Sequence, residues 1–195
     1  MQYEATSFID AIEIGKHLVL FYEKLEYAFM IQFRFINKGL LKGENCIYAT
    51  HGDTKFIEDQ MAYSGINVEE FKRKNLLHVY QIPIAMDDPE GALKGAEKIM
   101  KKIFADSGPP FRVVSVLVPE IDSDARMAAG LDIERNCHSS FNSLQCSWLC
   151  SYDVANIDDS RKDVFMDGIM RNHHAVIVTN KRGLGIAFDV PKPQS

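Results

Sequence analysis

Cysteine and histidine give this chain its most reactive chemistry. Cys46, Cys137, His138, Cys146, Cys150, His173 and His174 together invite a zinc-class ion or a Cys/His nucleophile. Their spacing argues for neither. Cys146 and Cys150 fall four residues apart on an expected strand, so they share a face but stand about 13 Å apart, too far to grip one ion. Nothing local pairs a thiol with a base, and burial in a core is the common fate of cysteine, so neither a metal nor a catalytic residue is expected among them. A second set mixes imidazoles, phenols and carboxylates: His17, Tyr22, Glu23, His51, Glu120, Glu134, Tyr152, Asp153 and His173. Brought to one edge of a fold, such groups would suit a small neutral or weakly polar molecule.

The elements that must position these residues follow from the hydrophobic pattern. A helix is expected over Ser7 to Ile14, and the continuous apolar run His17 to Tyr22 reads as a strand covered on both faces. Phe29, Phe33, Ile36 and Leu40 recur at helical spacing in the segment that opens at Glu23, with a stop at Asn37-Lys38-Gly39. Asn45 to Thr50 is a second strand; Asp53 caps a helix to about Ser64, and Asn67 caps a shorter one. Leu76 to Pro83 is a third strand, after which Asp88-Pro89-Glu90 signals a helix running to about Ala105. The aliphatic run Phe111 to Val118 belongs in mid-sheet. Asp122 then caps a long helix, ending near Asn142, that carries Met127, Leu131, Glu134 and His138. Leu144 to Tyr152 is a strand and Asp158 opens a helix to about Arg171. Ala175 to Thr179, a tight turn at Asn180 to Gly183, and Leu184 to Val190 form a closing antiparallel pair. This alternation predicts an α/β fold, a three-layer α/β/α sandwich with a mostly parallel central sheet. One domain is expected over residues 1–190, with residues 191–195 as a flexible tail.

Composition narrows the function class. At 195 residues, 46% hydrophobic and 25% charged, the chain has the make-up of an ordinary globular domain. A net charge of -5 supplies no field toward phosphate backbones, so no direct nucleic-acid partner is expected. Few cysteines, no apolar leader and no run of membrane-spanning length point to a protein of the reducing cytoplasm without a membrane partner.

The segment from His17 to Pro83 resembles the RecA/KaiC branch of the P-loop ATPases in its element order and its Gly39-Leu40 and Gly43-Glu44 pairs. Closer still is the resemblance to the MEDS family, the sensory domain named for methanogens, methylotrophs and the regulator DcmR. Its motifs run through His17, Leu20-Phe21-Tyr22-Glu23, Gly39-Leu40, Gly43-Glu44, Leu149-Cys150-Ser151-Tyr152-Asp153 and Asn172-His173-His174. The chain has His174 where the family pattern places a proline. The resemblance implies a RecA/KaiC-like fold and a sensor of small hydrocarbon derivatives.

Three parts of an ATPase are missing from the residues themselves. A phosphate cradle needs glycines whose N–H groups converge on the anion, yet the first core strand continues Tyr22-Glu23-Lys24-Leu25-Glu26-Tyr27. After the second strand come Thr50-His51-Gly52-Asp53, with Asp53 better used as a cap than as a base. Strand Val113 to Val118 offers a serine in place of a metal-holding aspartate, with Glu120 two residues on. Ligands of open parallel sheets bind beyond the carboxyl ends of the strands, so the small-molecule site is expected there, among Tyr22, Glu23, His51, Glu120, Tyr152 and Asp153.

Structural uses compete at every position. His17 can bond a backbone carbonyl, the tyrosines can be core aromatics, and Glu23 and Asp153 can be helix-start charges. Exposure is the favoured account of Glu134, and a turn role that of His173 and His174. The expected function is non-catalytic and cofactor-free: a sensory domain that signals in trans to a regulator or kinase, or through self-association as a homo-oligomer. A divergent KaiC-like nucleotide-binding ATPase and a structural oligomerisation subunit are the alternatives.

Overall fold

The computed structural model describes residues 2–117, 121–179 and 185–191. In chain order the first half contains β1 (Gln2–Glu4), α1 (Ala5–Ala11), β2 (His17–Tyr22), α2 (Leu25–Lys42), β3 (Asn45–Thr50), α3 (Thr54–Tyr63), α4 (Val68–Arg73) and β4 (Leu77–Gln81). The second half contains α5 (Ala92–Ile103), β5 (Phe111–Ser115), α6 (Asp124–Ser140), β6 (Cys146–Asp153), α7 (Asp159–Met170), β7 (Ala175–Val178) and β8 (Ile186–Asp189). All described strands join one sheet in the order β1-β8-β7-β2-β6-β5-β3-β4. The run from β7 to β4 is parallel, and β8 lies antiparallel between β7 and β1.

Helices cover both faces, which is why β2 is buried along its whole length. Its residues alternate: Leu18, Leu20 and Tyr22 pack with α1 to α4, whereas Val19 and Phe21 pack with α5 to α7. The three-layer α/β/α reading of the sequence therefore holds. Asp53, Asn67 and Asp158 cap their helices as expected, and β8 pairs antiparallel with β7.

Several boundaries differ for identifiable reasons. The helix expected to open at Asp88-Pro89 begins at Ala92 instead. Asp88 accepts the Glu90 N–H at 2.9 Å in a separate turn, and Gly91 reverses the chain at φ 99° before α5 starts. Strand β1, three residues long, is too short for periodicity to reveal. Glu4 then caps α1, accepting the Thr6 and Ser7 N–H groups, so that helix starts before Ser7 and ends before Ile14. Ser123, not Asp122, caps α6. The Asn180 to Gly183 turn, Glu120 and residues 192–195 lie outside the described residues.

The Gly39 and Gly43-Glu44 pairs serve the core. Gly43 ends α2 in the left-handed conformation, at φ 76°. Glu44 is then buried against Arg112 of β5, with Nε–Oε2 at 2.6 Å and Nη2–Oε1 at 3.1 Å. A Cβ on Gly39 would stand 2.6 Å from Arg112 Cδ, so only glycine leaves room for the arginine to pass under α2.

Candidate functional site

On β6, Trp148, Cys150 and Tyr152 alternate onto the sheet face covered by α6 and α7. The parallel register His17↔Trp148 and Val19↔Cys150 sets His17 beside them at the opening of β2. From above, α6 lowers Gly130, Ile133, Glu134 and Cys137, an i, i+3, i+4, i+7 stripe, onto this face. Glu134 is fully buried, which overturns its expected exposure. The true stripe is rotated by one position from Met127, Leu131 and His138, which are half-buried at its border. Where the chain leaves α7 for β7, His173 lies against His17 with ring centroids 4.0 Å apart and the planes tilted by 32°.

The donors converge. His17 Nε2 lies 3.4 Å from Cys150 Sγ and 3.8 Å from Glu134 Oε2. His173 Nε2 is 3.6 Å and Cys150 Sγ 3.7 Å from the same oxygen. One donor atom from each of His17, Glu134, Cys150 and His173 lies within 4.8 Å of all the others, and all four residues are buried. Tyr152 donates its hydroxyl to the second carboxylate oxygen, Oε1.

Backbone contacts orient the rings. His173 Nδ1 lies 2.7 Å from the Ile169 carbonyl, so it carries the proton, and Nε2 presents its lone pair to Glu134. That Nε2 has no hydrogen-bond partner among the described residues. The Asn172 carbonyl accepts a hydrogen bond from the His17 ring. His174 ties the two strands: its Nδ1 accepts the His17 N–H at 2.9 Å and its own N–H donates to the His17 carbonyl at 2.7 Å. A proline there could make neither bond.

Burial dominates the electrostatics. It pushes the Glu134 carboxyl up to about 7 against the lowering effect of Tyr152 and Cys150, and drives His173 down to about 3. His17 falls well below the ordinary imidazole value through burial and its neighbouring histidines. The Cys150 thiol and Tyr152 phenol rise far above theirs, for the same cause reinforced by Glu134. The cluster thus disfavours net charge. From this centre His17 contacts His138, and His138 contacts His174, a chain of rings leading to half-buried positions at the surface.

The other candidates lie elsewhere. Tyr22 faces α1 to α4, its phenol raised to about 12 by burial and then by Asp153. Glu23 is exposed. Asp153 accepts the Ala155 N–H and the Asn156 amide at 2.9 Å each, closing its own turn. His51 sets its ring nitrogens 3.1 and 2.6 Å from the Ile82 and Val116 carbonyls, strapping the exits of β4 and β5. Glu120 is outside the described residues. The expected convergence at the carboxyl edge is therefore replaced: Tyr152 leaves that group to join His17, Glu134 and His173 beneath α6. Cys150, expected in core packing because burial is the common fate of cysteine, finds polar partners that the spacing along its own strand cannot supply; they come from α6 and β2. Two surface grooves, of about 550 Å3 beside α1 and about 450 Å3 between α5 and the segment Pro83 to Pro89, contain none of these candidates.

Where a nucleotide-binding relative would cradle phosphate, this chain runs from Tyr22 into α2 without a glycine, and Lys24 makes no side-chain cap. Exposed Glu23 and Glu26 supply the negative charge that a helix N-terminus favours. Ser115, at the end of β5, accepts the Trp148 indole N–H at 2.7 Å and is wholly buried.

Sheet order and layers define a RecA/KaiC-like α/β/α domain. Solved structures agree. A protein from Pyrococcus horikoshii matches at TM-score 0.56 and 8% identity, covering 93% of this chain and 90% of its own. A KaiC-like protein from the same organism matches at 0.53 and 13%, covering 86% and 72%. The flagellar accessory protein FlaH from Methanocaldococcus jannaschii matches at 0.56 and 13%, covering 93% and 80%. At these identities the likeness shows the fold alone. Comparison with curated protein sequences gives no significant match. The family model described as MEDS, the methanogen/methylotroph, DcmR sensory domain, matches residues 16–179, and the chain belongs to that family. No helix among the described residues is long and apolar enough to cross a membrane.

Proposed function

We propose that this chain is a non-catalytic sensory domain that binds a small molecule of hydrocarbon-derivative type. It passes its state in trans to a regulator or kinase, or through self-association, in the cytoplasm. The observation that carries this reading is the buried constellation of His17, Glu134, Cys150, Tyr152 and His173. Polar groups sunk in a core cost stability, and a core that needed only packing would fill these positions with apolar side chains. The constellation joins β2, β6, α6 and the approach to β7, so a change there alters how α6 sits on the sheet. Family membership supports the sensory role, and the glycine-free turn after β2 weighs against nucleotide hydrolysis.

Thermal unfolding with small halogenated or hydroxylated hydrocarbons, and separately with ATP and magnesium, tests the proposal. A ligand at a hundredfold excess over its Kd stabilises by about 2.7 kcal/mol. For a domain of this size that raises Tm by roughly 5–10 °C. The expected result is such a rise with a hydrocarbon derivative, lost in Tyr152→Phe, and none with ATP. Stabilisation by ATP and magnesium would overturn it in favour of the nucleotide-binding alternative.

A further inference from the structure

We propose that His17, Glu134, Cys150 and His173 form a closed tetrahedral site for a zinc-class divalent cation, with both histidine Nε2 atoms, Glu134 Oε2 and Cys150 Sγ as ligands. The proposal rests on the sensory reading for its location only: the ion occupies the space among the four ligand atoms, a small molecule acts on the centre from outside that space, and the proposal is decided by metal binding alone.

Geometry is the first argument. Zinc bonds of about 2.0–2.1 Å to nitrogen, about 2.0–2.2 Å to carboxylate oxygen and about 2.3 Å to sulfur require tetrahedral ligand–ligand edges of roughly 3.3–3.6 Å. Four of the six edges are 3.4 Å for His17–Cys150, 3.6 Å for His173–Glu134, 3.7 Å for Cys150–Glu134 and 3.8 Å for His17–Glu134, and the two from His173 to His17 and to Cys150 lie within 4.8 Å. On the four edges at 3.4–3.8 Å a contraction of a few tenths of an ångström reaches the zinc geometry.

The outer contacts are those a metal centre uses. His173 is fixed by its Nδ1–H to the Ile169 carbonyl, which turns the Nε2 lone pair inward, and that buried nitrogen has no other partner among the described residues. Glu134 is held at its far oxygen by Tyr152, leaving Oε2 for the ion. Charge closes the argument. A divalent cation with one thiolate, one carboxylate and two neutral imidazoles is a neutral unit, the only kind that a wholly buried site accepts without a large desolvation cost. Binding releases the Cys150 thiol proton, and the Glu134 proton where present, to solvent; nothing is oxidised or reduced. Thiolate and imidazole together select zinc over magnesium or calcium. Four protein ligands leave no open position, so the ion clamps β2, β6, α6 and the start of β7 and activates no water.

A proton shared among the same lone pairs is the competing occupant, and Co²⁺ distinguishes the two. The full chain, carrying no histidine tag and stripped by a chelator, is titrated with Co²⁺ and then Zn²⁺. The expected result is one equivalent bound, tetrahedral d–d bands, a near-ultraviolet thiolate-to-cobalt absorption, and loss of both on adding Zn²⁺. Cys150→Ser should lose the thiolate absorption, whereas Cys46→Ser, on the other sheet face, should keep it. Tyr152→Phe should weaken Co²⁺ binding by about 10- to 100-fold. Should Cys150→Ser fail to fold, His173→Gln, which removes a ligand without touching the strand, must still weaken binding. A folded wild type that gives no thiolate absorption, or an absorption that survives Cys150→Ser, overturns the proposal. Protein that ignores Co²⁺ yet gains Tm from a hydrocarbon derivative loses the ion and keeps the sensory reading. Protein that binds Co²⁺ but responds to no such ligand does the reverse.

Discussion

Replacing Glu44 by alanine separates a structural motif from a catalytic one. Arg112 is wholly buried, and without Glu44 its guanidinium keeps, among the described residues, the Phe35 carbonyl at 3.4 Å and the Phe35 ring at 4.7 Å. Breaking a buried pair by removing one partner costs about 3–5 kcal/mol, a large share of the roughly 5–15 kcal/mol that holds a domain folded. At about 2–4 °C per kcal/mol the midpoint should fall by about 6–20 °C. Removing both charges at once, in Glu44→Leu with Arg112→Met, should restore most of that loss, because apolar replacement of a buried pair is often neutral. Urea unfolding followed by circular dichroism, run as a double-mutant cycle of Glu44→Leu, Arg112→Met and the two combined, gives the coupling directly. A Glu44→Ala protein within about 1 kcal/mol of wild type, or single losses that merely add, would refute the structural assignment. A stable Glu44→Ala protein that had lost phosphate release would instead mark Glu44 as a catalytic residue.

Two further outcomes follow from individual contacts. Gly39→Ala puts a methyl 2.6 Å from Arg112 Cδ and 2.7 Å from Cys46 Sγ, so overpacking should cost about 1–3 kcal/mol. Gly52→Ala, whose nearest contact is 3.6 Å, should stay near wild type in the same urea experiment. Hydrogen bonds from Thr6 and Ser7 hold the Glu4 carboxyl down at about 2. Its folded pKa is depressed, so its contribution to α1 is present above the ordinary carboxylate range and is lost as pH falls toward about 2. Carbon-detected NMR titration should place the Glu4 midpoint there, and a midpoint at the ordinary value would show that it does not cap the helix.

Strand and helix order was legible because six-residue apolar runs such as His17–Tyr22 and caps such as Asp53 and Asp158 are local signals. Asp88-Pro89 misled because a cap and a proline serve a tight turn as readily as a helix start. Glu134 was legible only as an oddity. Its burial depends on the rotation of α6 about its axis, which Gly130, Ile133 and Cys137 decide by packing and which helical spacing leaves open by a position. The candidate site is half legible: His17, Glu134, Tyr152 and His173 are all among the nine candidates, but only Tyr152 belongs to the expected carboxyl-edge group and no local signal ties it to the other three. The carboxyl-edge rule drew attention to strand ends, whereas these residues meet on a sheet face, where period-two alternation places Cys150 and Tyr152 together. That alternation, read alongside the one carboxylate in the buried stripe of α6, is the signal that could have found Cys150.

Backbone and side-chain NMR shifts of labelled protein, recorded with a small hydrocarbon derivative and separately with ATP and magnesium, test most directly where the functional centre lies. The account predicts that the hydrocarbon derivative perturbs His17, Glu134, Cys150, Tyr152 and His173 and that ATP leaves the spectrum unchanged. Shifts gathered at Tyr22 to Tyr27, with the residues beneath α6 silent, would contradict it.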